Sequence, residues 1–471
     1  MPTAAIKTLG CKLNQYESEQ IREQLARLGY TPIPFSSPAD LYIINTCTVT
    51  SEADREARKL VRQARRRNPK AFIVLTGCYA EVAAEQLQAM PEVDLICGMA
   101  DKHRLPELLP LPPASAPLSG PVPVEHFAAH TRSLVKIQEG CNSRCSYCIV
   151  PEARGPSRSV PFAEVYEQAL ALAHSGHPEL VLIGTHLGQY GRDLQPSPTV
   201  GRGLVPRREA HDNTETAGYK PPPHSYGSEA DPSQPLDVAD LLLRLAAIPD
   251  VQRLRLGSME PREVSPALIE MVRRGGRALG RPPIDGTGKL CRHLHIPLQS
   301  GGDSVLQRMN RPYTSAFYAD VVERVHEAQP LAGLGADVIV GFPGETDEEF
   351  EATRALVDRL PVSYLHVFAY SPRQGTPAAD MPDQIAPPVK AERSQILREL
   401  STRKHQAFAE KMVGLTLETV LQTVVSEGWL QGVTDNYLTL SVQAGEGLLG
   451  RLVACEVEGV EEEVLVGRVV G

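Results

Sequence analysis

Short apolar runs alternate with longer amphipathic segments along most of this chain, and no other feature restricts its fold as strongly. In residues 1–110 the apolar runs cover 5–10, 41–46 and 71–77. The two segments between these runs are long enough, and polar enough on one face, to be helices. Strands that alternate with helices form parallel sheets with helical crossovers. We therefore predict a parallel α/β domain over residues 1–110.

A second alternating series follows a stretch rich in proline and small residues. This stretch, residues 111–126, is predicted to be a linker. Residues 127–410 then contain six strand-like runs separated by helical segments. Six units are too few for an eight-stranded closed barrel and indicate an open, partial (β/α)6 barrel. Polar insertions at 195–235 and 275–289 interrupt the series and are expected to be surface loops.

Residues 411–471 change character, because five short strand-like runs follow one another with glycine-containing turns. This pattern predicts a small five-stranded β-barrel, in which closure removes exposed sheet edges. A long helix over about residues 389–411 is expected to lead into it. The same sixty residues carry three Lys/Arg against nine Asp/Glu, which disfavours a role in gripping a phosphate backbone.

Three of the nine cysteines, Cys141, Cys145 and Cys148, lie within eight positions in the spacing C-x3-C-x2-C. A structural zinc ion takes four ligands, and a cubane iron–sulfur cluster also has four corners. Three soft ligands without a fourth nearby therefore indicate a metal centre with one position left open.

Three further cysteines, Cys11, Cys47 and Cys78, each end one of the apolar runs of the first domain. The carboxyl ends of parallel strands meet at one edge of a sheet, where such folds bind ligands. These cysteines are a second candidate metal site, with three unrelated buried thiols as the alternative. Cys97 also ends a strand-like run, so periodicity does not exclude it as a ligand.

Composition restricts the compartment and the partners. The chain is 42% hydrophobic and 22% charged, no run approaches the ~18 apolar residues of a membrane span, and the N-terminus lacks a signal-peptide pattern. We expect a cytoplasmic protein with no membrane partner, whose cysteines are thiols or metal ligands. A net charge of −9 argues against general nucleic-acid affinity. Residues 58–70 nevertheless carry seven cations and no acid, which is typical of a solvated helix face or of a phosphate-binding one.

The stretch CNSRCSYC, with Tyr147 immediately before the last cysteine, resembles the signature of the radical S-adenosylmethionine (SAM) enzymes. The resemblance implies that Cys141, Cys145 and Cys148 hold a [4Fe–4S] cluster whose open iron binds SAM. It also implies that reduction of this cluster cleaves SAM to a 5′-deoxyadenosyl radical. The partial barrel predicted above is the fold of that superfamily.

The stretches TLGCKLNQYESE, NTCTVTSEA and LTGCYAE, placed before that signature, are similar to the methylthiotransferases. So are HLHIPLQSGGDSVLQRMNR and DVIVGFPGETDEEF. In this family a cluster domain precedes the radical SAM barrel, and a TRAM barrel ends the chain. The residues that flank the first two cysteines resemble those of the branch that acts on N6-threonylcarbamoyladenosine at position 37 of tRNA.

The resemblance implies insertion of a methylthio group at C2 of that adenine. Cys11, Cys47 and Cys78 would hold an auxiliary [4Fe–4S] cluster that carries the sulfur. One SAM would methylate this sulfur and a second would supply the radical. The reaction would need a reducing electron-donor protein and a sulfur donor. Cys97, Cys291 and Cys455 fall outside the motifs and are expected to be structural.

Contacts to SAM and substrate are also implied by the resemblance. Besides Tyr147, the expected cofactor-binding residues follow predicted strands: Gly184, Thr185, Ser258, Glu260, Gln299, Ser300, Gly341 and Phe342. Arg154 and Arg158, close after the cysteine signature, are candidates for contacts to phosphate or a substrate carboxylate. A salt bridge within the barrel is the alternative for both.

Four rival functions remain open at this point. Sister branches of the family act on ribosomal protein S12 or on isopentenyladenosine in tRNA. A radical SAM enzyme that is only a methyltransferase would leave Cys11, Cys47 and Cys78 without a role. A zinc-stabilised RNA-binding module without catalysis is the alternative outside enzymes.

Overall fold

A computed structural model describes residues 1–109, 131–194, 237–276 and 288–470 of this chain. The predicted linker at 111–126 and the insertion at 195–235 lie outside the described residues, as does most of the insertion at 275–289. In the described part of the chain, no helix combines the length and the apolar character that a membrane crossing requires.

The first domain is a parallel sheet with helical crossovers, as predicted. Its strands are β1 (Thr3–Thr8), β2 (Thr31–Pro32), β3 (Leu41–Thr46), β4 (Phe72–Gly77) and β5 (Leu95–Cys97), in the order β2-β1-β3-β4-β5. Its helices are α1 (Lys12–Arg27), α2 (Ser51–Arg67), α3 (Cys78–Val82), α4 (Ala84–Gln88) and α5 (Leu105–Leu108). All six residues of β3 are buried, because a central parallel strand is covered on both faces.

The second domain contains six parallel strands in a curved row. They are β6 (Arg132–Lys136), β9 (Glu179–Ile183), β10 (Arg253–Leu256), β11 (His293–His295), β12 (Gly333–Val340) and β13 (Tyr364–Ala369). A short antiparallel pair, β7 (Gln138–Glu139) and β8 (Arg158–Ser159), follows β6. The helices are α6 (Val150–Arg154), α7 (Phe162–His174), α8 (Val238–Ala246), α9 (Pro266–Arg274), α10 (Asp303–Arg308), α11 (Ser315–Ala328), α12 (Asp347–Arg359) and α13 (Pro387–Glu410).

These six strands form an open barrel, which confirms the predicted fold class. They pair as β6-β9-β10 and β11-β12-β13, and parallel bridges from Leu254 to Leu290 and from Ser258 to His295 join the two halves. Within the described residues β6 and β13 do not pair, so the row has two free edges. The main hydrophobic core lies between the outer face of the strands and the helices.

The C-terminal residues form a closed five-stranded barrel, again as predicted. Its strands are β14 (Thr416–Ser426), β15 (Trp429–Thr434), β16 (Thr439–Gln443), β17 (Leu452–Glu461) and β18 (Val464–Val469), in the closed order β14-β15-β16-β18-β17. The strand β14 is long enough to pair with β15 on one side and β17 on the other.

A buried ion cluster attaches this small barrel to the open one. Glu179 of β9 is fully buried, and its carboxylate accepts hydrogen bonds from Arg253 and Arg255 of β10. The same two guanidinium groups donate to the main-chain oxygens of Val433 and Thr434 at 3.0 and 2.8 Å. Burial alone would raise the pKa of Glu179, but the two arginines hold it well below its ordinary value.

Glu179→Gln should therefore weaken the attachment of the C-terminal barrel. Removing one partner of a buried charge network leaves the remaining charges uncompensated, at a cost of about 3–5 kcal/mol in the free energy of unfolding. Urea unfolding followed by fluorescence reports on this region directly, because Trp429 in β15 is the only tryptophan of the chain.

The matched control is Glu270→Gln in α9, whose carboxylate pairs with Arg273 and Arg274 at the surface. It should change the free energy of unfolding by less than about 1 kcal/mol. Equal effects of the two variants would contradict the role given to Glu179.

Candidate functional site

The cysteines of the first domain lie at the carboxyl edge of its sheet, on three adjacent strands. Cys11 precedes α1 after β1, Cys47 follows β3, and Cys78 begins α3 directly after β4. Gly10 brings the first two together: it has a φ of +92°, and a Cβ added there would lie 2.7 Å from the Cys47 sulfur. Only glycine tolerates both that dihedral angle and that close approach.

The electrostatics of these thiols also reflect their proximity. Burial raises the pKa of Cys47 to about 11, and the neighbouring Cys78 and Cys11 contribute in the same direction. The predicted grouping of the three is therefore present, and Cys97, which also ends a strand of this sheet, is buried in the apolar core below.

The second cysteine set lies in the loop between β7 and α6. The loop is tied to the top of the barrel through Ser146, whose N–H donates to the Met309 oxygen at 3.1 Å and whose hydroxyl donates to the Arg308 oxygen at 2.7 Å. The Cys148 N–H donates to the Cys145 oxygen at 3.1 Å. The three thiols are thus held by a loop that is itself fixed. The Tyr147 ring packs edge-on against the Phe342 ring, with 6.5 Å between the ring centroids.

Two side chains that sequence analysis missed contact these sulfurs. His186 Nδ1 lies 3.4 Å from the Cys141 sulfur, and Arg311 donates to the Cys145 sulfur at 3.0 Å. Burial alone would raise the pKa of Cys141, but the hydrogen bond from His186 brings it below its ordinary value. Arg311 is the last residue of the quoted motif HLHIPLQSGGDSVLQRMNR, and His186 directly follows Thr185, an expected cofactor-binding residue, so a search of these places for cationic partners of thiolates could have found both.

The donor sets suit polynuclear clusters better than single ions. All nine cysteines are free thiols, and six of them form two sets of three soft donors in partly buried loops. Within the described residues, neither set closes to the 4.8 Å spacing at which three donor atoms share one ion. Three anionic sulfurs with one corner left to a cofactor are what a [4Fe–4S] cluster of this kind requires.

Arg154 connects the two cysteine sets. Its guanidinium donates to Glu17 of α1 at 2.8 Å, to Asn14 at 2.6 Å and to Glu139 at 3.0 Å. Glu17 also pairs with Lys102. Burial would lower the pKa of Arg154, yet Glu17, Cys78 and Cys11 raise it well above its ordinary value, so the guanidinium lies within electrostatic reach of the first cysteine set.

For Arg154 these contacts favour the salt-bridge alternative, and a contact to phosphate or a substrate carboxylate stays a prediction. The side chain is only 4% exposed, and its donors are occupied by Glu17 and Asn14 of the first domain and by Glu139 of the barrel domain. Arg158 differs, because it is exposed and within the described residues no side-chain hydrogen bond holds it. A substrate contact by Arg158 stays a prediction.

The residues expected to bind SAM follow four strands of the barrel, but they differ in availability. Ser258 is exposed, and Glu260 pairs with Arg311, which contacts Cys145. Gln299 has a φ of +68°, and this turn points the next residue inward: the Ser300 hydroxyl is fully buried and lies 3.3 Å from the Thr353 hydroxyl. Gln299 itself is buried, so the structure favours Ser258 and Glu260 over both Gln299 and Ser300.

The other expected SAM-binding residues lie at the same strand ends. Gly184 and Thr185 follow β9, and a Cβ at Gly184 would lie 2.9 Å from the Gln138 side-chain oxygen. Gly341 follows β12 with a φ of +68°. Phe342 is fully buried in a small apolar cluster with Tyr370. Their roles toward SAM stay predictions.

The cationic segment 58–70 is divided between the protein interior and solvent. Arg58 bonds Tyr79, Arg65 bonds Asp94 at 2.7 Å, and Arg67 lies over the Phe35 ring. The four remaining cations, Lys59, Arg62, Arg66 and Lys70, are exposed. The first three recur at the spacing of one helix face, so they form a ridge along α2 that Lys70 extends. We refer to these four residues as the α2 ridge.

Comparison with known proteins agrees with this arrangement. The model of Uncharacterized protein family UPF0004 matches residues 3–98, and that of the Radical SAM superfamily matches residues 135–195 and 282–357. The threonylcarbamoyladenosine tRNA methylthiotransferase MtaB of Bacillus subtilis (strain 168) is 35% identical over 97% of this chain and 94% of its own length. The MtaB protein of Aquifex aeolicus (strain VF5) is 34% identical over 95% of this chain and 98% of its own length.

A relative whose name states a different activity is nearly as similar to this chain as the MtaB proteins are. The tRNA-2-methylthio-N(6)-dimethylallyladenosine synthase of Pelotomaculum thermopropionicum is 32% identical over 98% of this chain and 96% of its own length.

The carboxylate of Glu17 should make stability depend on pH. Burial alone would raise its pKa, but Lys102 and Arg154 lower it to about 2, against 4.5 for a free glutamate. A carboxylate whose pKa is lowered by folding stabilises the protein above the unfolded-state pKa and loses this contribution as pH falls toward the folded-state pKa. Urea unfolding between pH 7 and pH 2 should show a loss of about 3 kcal/mol from this group below about pH 4.5.

Glu17→Gln should remove most of that pH-dependent loss and lower stability at pH 7. Glu23→Gln on the same helix, which removes an i,i+4 pair with Arg27, should leave the pH profile of the wild type almost unchanged. A Glu17→Gln profile that matches the wild type would show that the interdomain pair contributes nothing.

Proposed function

This chain belongs to the family of radical SAM tRNA methylthiotransferases, and from that membership we propose that it methylthiolates C2 of N6-threonylcarbamoyladenosine at position 37 of tRNA. The structural observation that carries the proposal is the joining of two open three-cysteine sets by one buried arginine. A zinc-stabilised module has no use for two such sets, and a simple methyltransferase has no use for the first. The activity named for the MtaB relatives supports the threonylcarbamoyl substrate.

We propose that Cys141, Cys145 and Cys148 hold the [4Fe–4S] cluster that binds SAM, and that Cys11, Cys47 and Cys78 hold the auxiliary one. Bound at these sites, SAM and the clusters supply the radical that removes the C2 hydrogen and the sulfur that replaces it. The cycle draws on a reducing electron-donor protein and a sulfur donor. We place it in the cytoplasm, where thiols remain reduced.

The side chains around the second cysteine set hold those ligands ready. Arg311 stabilises the thiolate of Cys145 by charge, and hydrogen bonds with Cys141 and Glu263 raise the pKa of His186 to about 9 although burial alone would lower it. A cationic His186 therefore stands against the Cys141 sulfur at neutral pH. Tyr147 and Phe342 shield the loop from water.

Substrate RNA needs contacts beyond the reacting base, and the α2 ridge supports them. It begins two turns after the N-terminus of α2, twelve residues beyond Cys47, and extends away from it toward the end of that helix. The rise from Lys59 to Arg66 is about 10 Å at 1.5 Å per residue, and Lys70 lengthens it, enough to meet several phosphates of a stem whose loop base lies near the cysteines. We propose that residues 1–110, 127–410 and 411–471 act as three domains, of which the first grips the RNA.

The two cysteine sets should be separable by mutation. Anaerobically reconstituted protein should contain about eight irons, and each triple Cys→Ala variant about four. The Cys141/Cys145/Cys148 variant should form no 5′-deoxyadenosine from SAM. The Cys11/Cys47/Cys78 variant should still form it but should transfer no methylthio group, as measured by mass spectrometry of tRNA nucleosides.

The same nucleoside analysis decides between the rival substrates. Product at dimethylallyladenosine alone, or on ribosomal protein S12 alone, would overturn the proposed substrate. Stoichiometric zinc in place of iron would overturn the enzyme itself. Full activity of the Cys11/Cys47/Cys78 variant would leave a methyltransferase as the better reading.

Charge reversal on the α2 ridge should weaken RNA binding. The double variant Arg62→Glu, Arg66→Glu should raise the KM for tRNA about tenfold and flatten the dependence of log Kd on log salt, because fewer counterions are released. The kcat at saturating tRNA should change little, since the ridge is remote from the reacting base.

The control is Arg324→Glu with Arg359→Glu, the same charge change on exposed arginines of α11 and α12. Its KM and salt slope should stay close to those of the wild type. If both double variants lose affinity equally, the effect comes from net charge and the ridge has no specific role.

A further inference from the structure

The inner face of β12 and β13 is open, and the proposed reaction does not yet use it. Along β12 the side chains of Leu334, Ala336, Val338 and Val340 are fully buried, whereas Asp337 and Ile339 between them are only half-buried. Side chains of a strand alternate between its two faces. One face of β12 is therefore packed under the helices, and the other faces the accessible interior of the open barrel.

The adjoining edge strand β13 continues this accessible face. Its register places His366 beside Asp337 and Phe368 beside Ile339. The His366 side chain is 52% exposed, and Phe368 is 42% exposed. An exposed phenylalanine next to an exposed histidine, inside a barrel and not on its outer surface, is typical of a ligand-binding surface.

A row of hydrogen bonds crosses three strands on this face. Asp337 Oδ1 lies 2.8 Å from His295 Nε2 and 3.2 Å from His366 Nδ1. His295 Nδ1 in turn lies 3.2 Å from the Tyr364 hydroxyl. A carboxylate can only accept, so both imidazole nitrogens that face Asp337 carry a proton. His366 is thereby oriented with its Nε2 toward the interior, where no described residue bonds it.

The row lies beside both ends of the proposed active site. His295 is bridged to Ser258, one of the expected SAM contacts, and the Asp337 main-chain oxygen accepts the N–H of Gln299 at 2.8 Å. Just beyond β13, Arg373 donates to the hydroxyl of Thr48, the residue after Cys47. The open face therefore lies between the cofactor end of the barrel and the first cysteine set, where the reacting base must lie.

We propose that this face is the nucleobase subsite, in which Phe368 stacks on adenine 37 and His366, oriented by Asp337, hydrogen-bonds the polar N6 substituent. Unstacked bases of RNA loops are held on aromatic side chains in this way. With its proton on Nδ1, a neutral imidazole accepts at Nε2 from a hydroxyl or a urea N–H, and an imidazolium donates from Nε2 to a carboxylate; a threonylcarbamoyl group offers all three partners. A hydrocarbon substituent would leave Nε2 desolvated without a partner, so the site disfavours it. The identity of this substituent rests on the proposed function.

A metal ion is the competing occupant. Among the described histidine, cysteine, aspartate and glutamate side chains, one group of three has its ligand atoms within 4.8 Å of one another: His295, Asp337 and His366. The two nitrogen–oxygen distances are those of ordinary N–H···O hydrogen bonds, however, and protonated nitrogens do not bind metals. The geometry therefore favours the hydrogen-bonded subsite.

The test compares His366→Phe and His366→Gln in reconstituted holoenzyme. The substrates are three anticodon stem-loops that carry threonylcarbamoyl-, dimethylallyl- or unmodified adenosine at position 37. His366→Phe should lower kcat/KM for the threonylcarbamoyl RNA about tenfold or more, without lowering it for the dimethylallyl RNA. His366→Gln keeps a hydrogen-bonding group and should retain most of the preference. Phe368→Ala should weaken both modified RNAs alike.

Fluorescence anisotropy of the labelled stem-loops gives a second readout that needs no turnover. The wild type should bind threonylcarbamoyl RNA more tightly than unmodified RNA, and His366→Phe should abolish this difference. The control is His174→Phe on α7. His174 is similarly exposed and lies 2.9 Å from Asp250, and its replacement should leave the affinity for all three stem-loops unchanged.

Each remaining outcome counts against a specific statement. If His366→Phe leaves the preference intact, or weakens all three RNAs equally, the subsite is wrong. If the protein contains a stoichiometric metal outside the clusters that His366→Phe removes, the row is a metal site instead. If the wild type turns over neither modified RNA, the proposed function fails, whereas the anisotropy still decides whether this face reads the N6 substituent.

Discussion

The ion pair between Glu17 and Arg154 holds together the two halves of the site. Glu17 stands six residues after Cys11 and Arg154 six residues after Cys148, so each partner lies on the helix that follows a cysteine of one set. Both side chains are almost fully buried. Separating the domains would expose Leu13 and Tyr16 of α1, which pack into the barrel core, and would leave these charges unpaired, which costs more than the loss of an ordinary surface pair. The relative position of the two sets is therefore determined by a short-range, directional contact.

The charges of this protein are divided by domain, which explains how an acidic chain can bind RNA. The C-terminal barrel is acidic, yet it attaches to the open barrel through main-chain oxygens that accept from Arg253 and Arg255. One of its acidic side chains takes part as well, because the buried carboxylate of Asp435 accepts hydrogen bonds from Arg292 of the open barrel at 2.6 and 3.1 Å. The positive surface lies on α2 of the first domain instead. Local patches decide the affinity for phosphate, and the net charge of −9 does not.

The fold could be predicted from the sequence because its signals are local. The continuous apolar run of β3 predicts a buried strand, and the six repeated units predict the open barrel. The cysteine sets were predictable for the same reason, since spacing and strand ends are visible in the chain. The partner of Arg154 was not, because Glu17 is 137 residues away and nothing local selects it from the other carboxylates. The inward turn of Ser300 was missed because it depends on the left-handed φ of Gln299, which no sequence pattern required.

Substrate choice within this family cannot come from the cysteines. Relatives named as enzymes of threonylcarbamoyladenosine and of dimethylallyladenosine are 35% and 32% identical to this chain over nearly its whole length. Adenine is common to both substrates and only the N6 substituent differs, one being polar and charged and the other a hydrocarbon. Discrimination must therefore depend on side chains that the substituent desolvates. Polar side chains on an edge strand suit that purpose, because among the described residues β13 pairs with β12 alone and its inner face can change without disturbing the core.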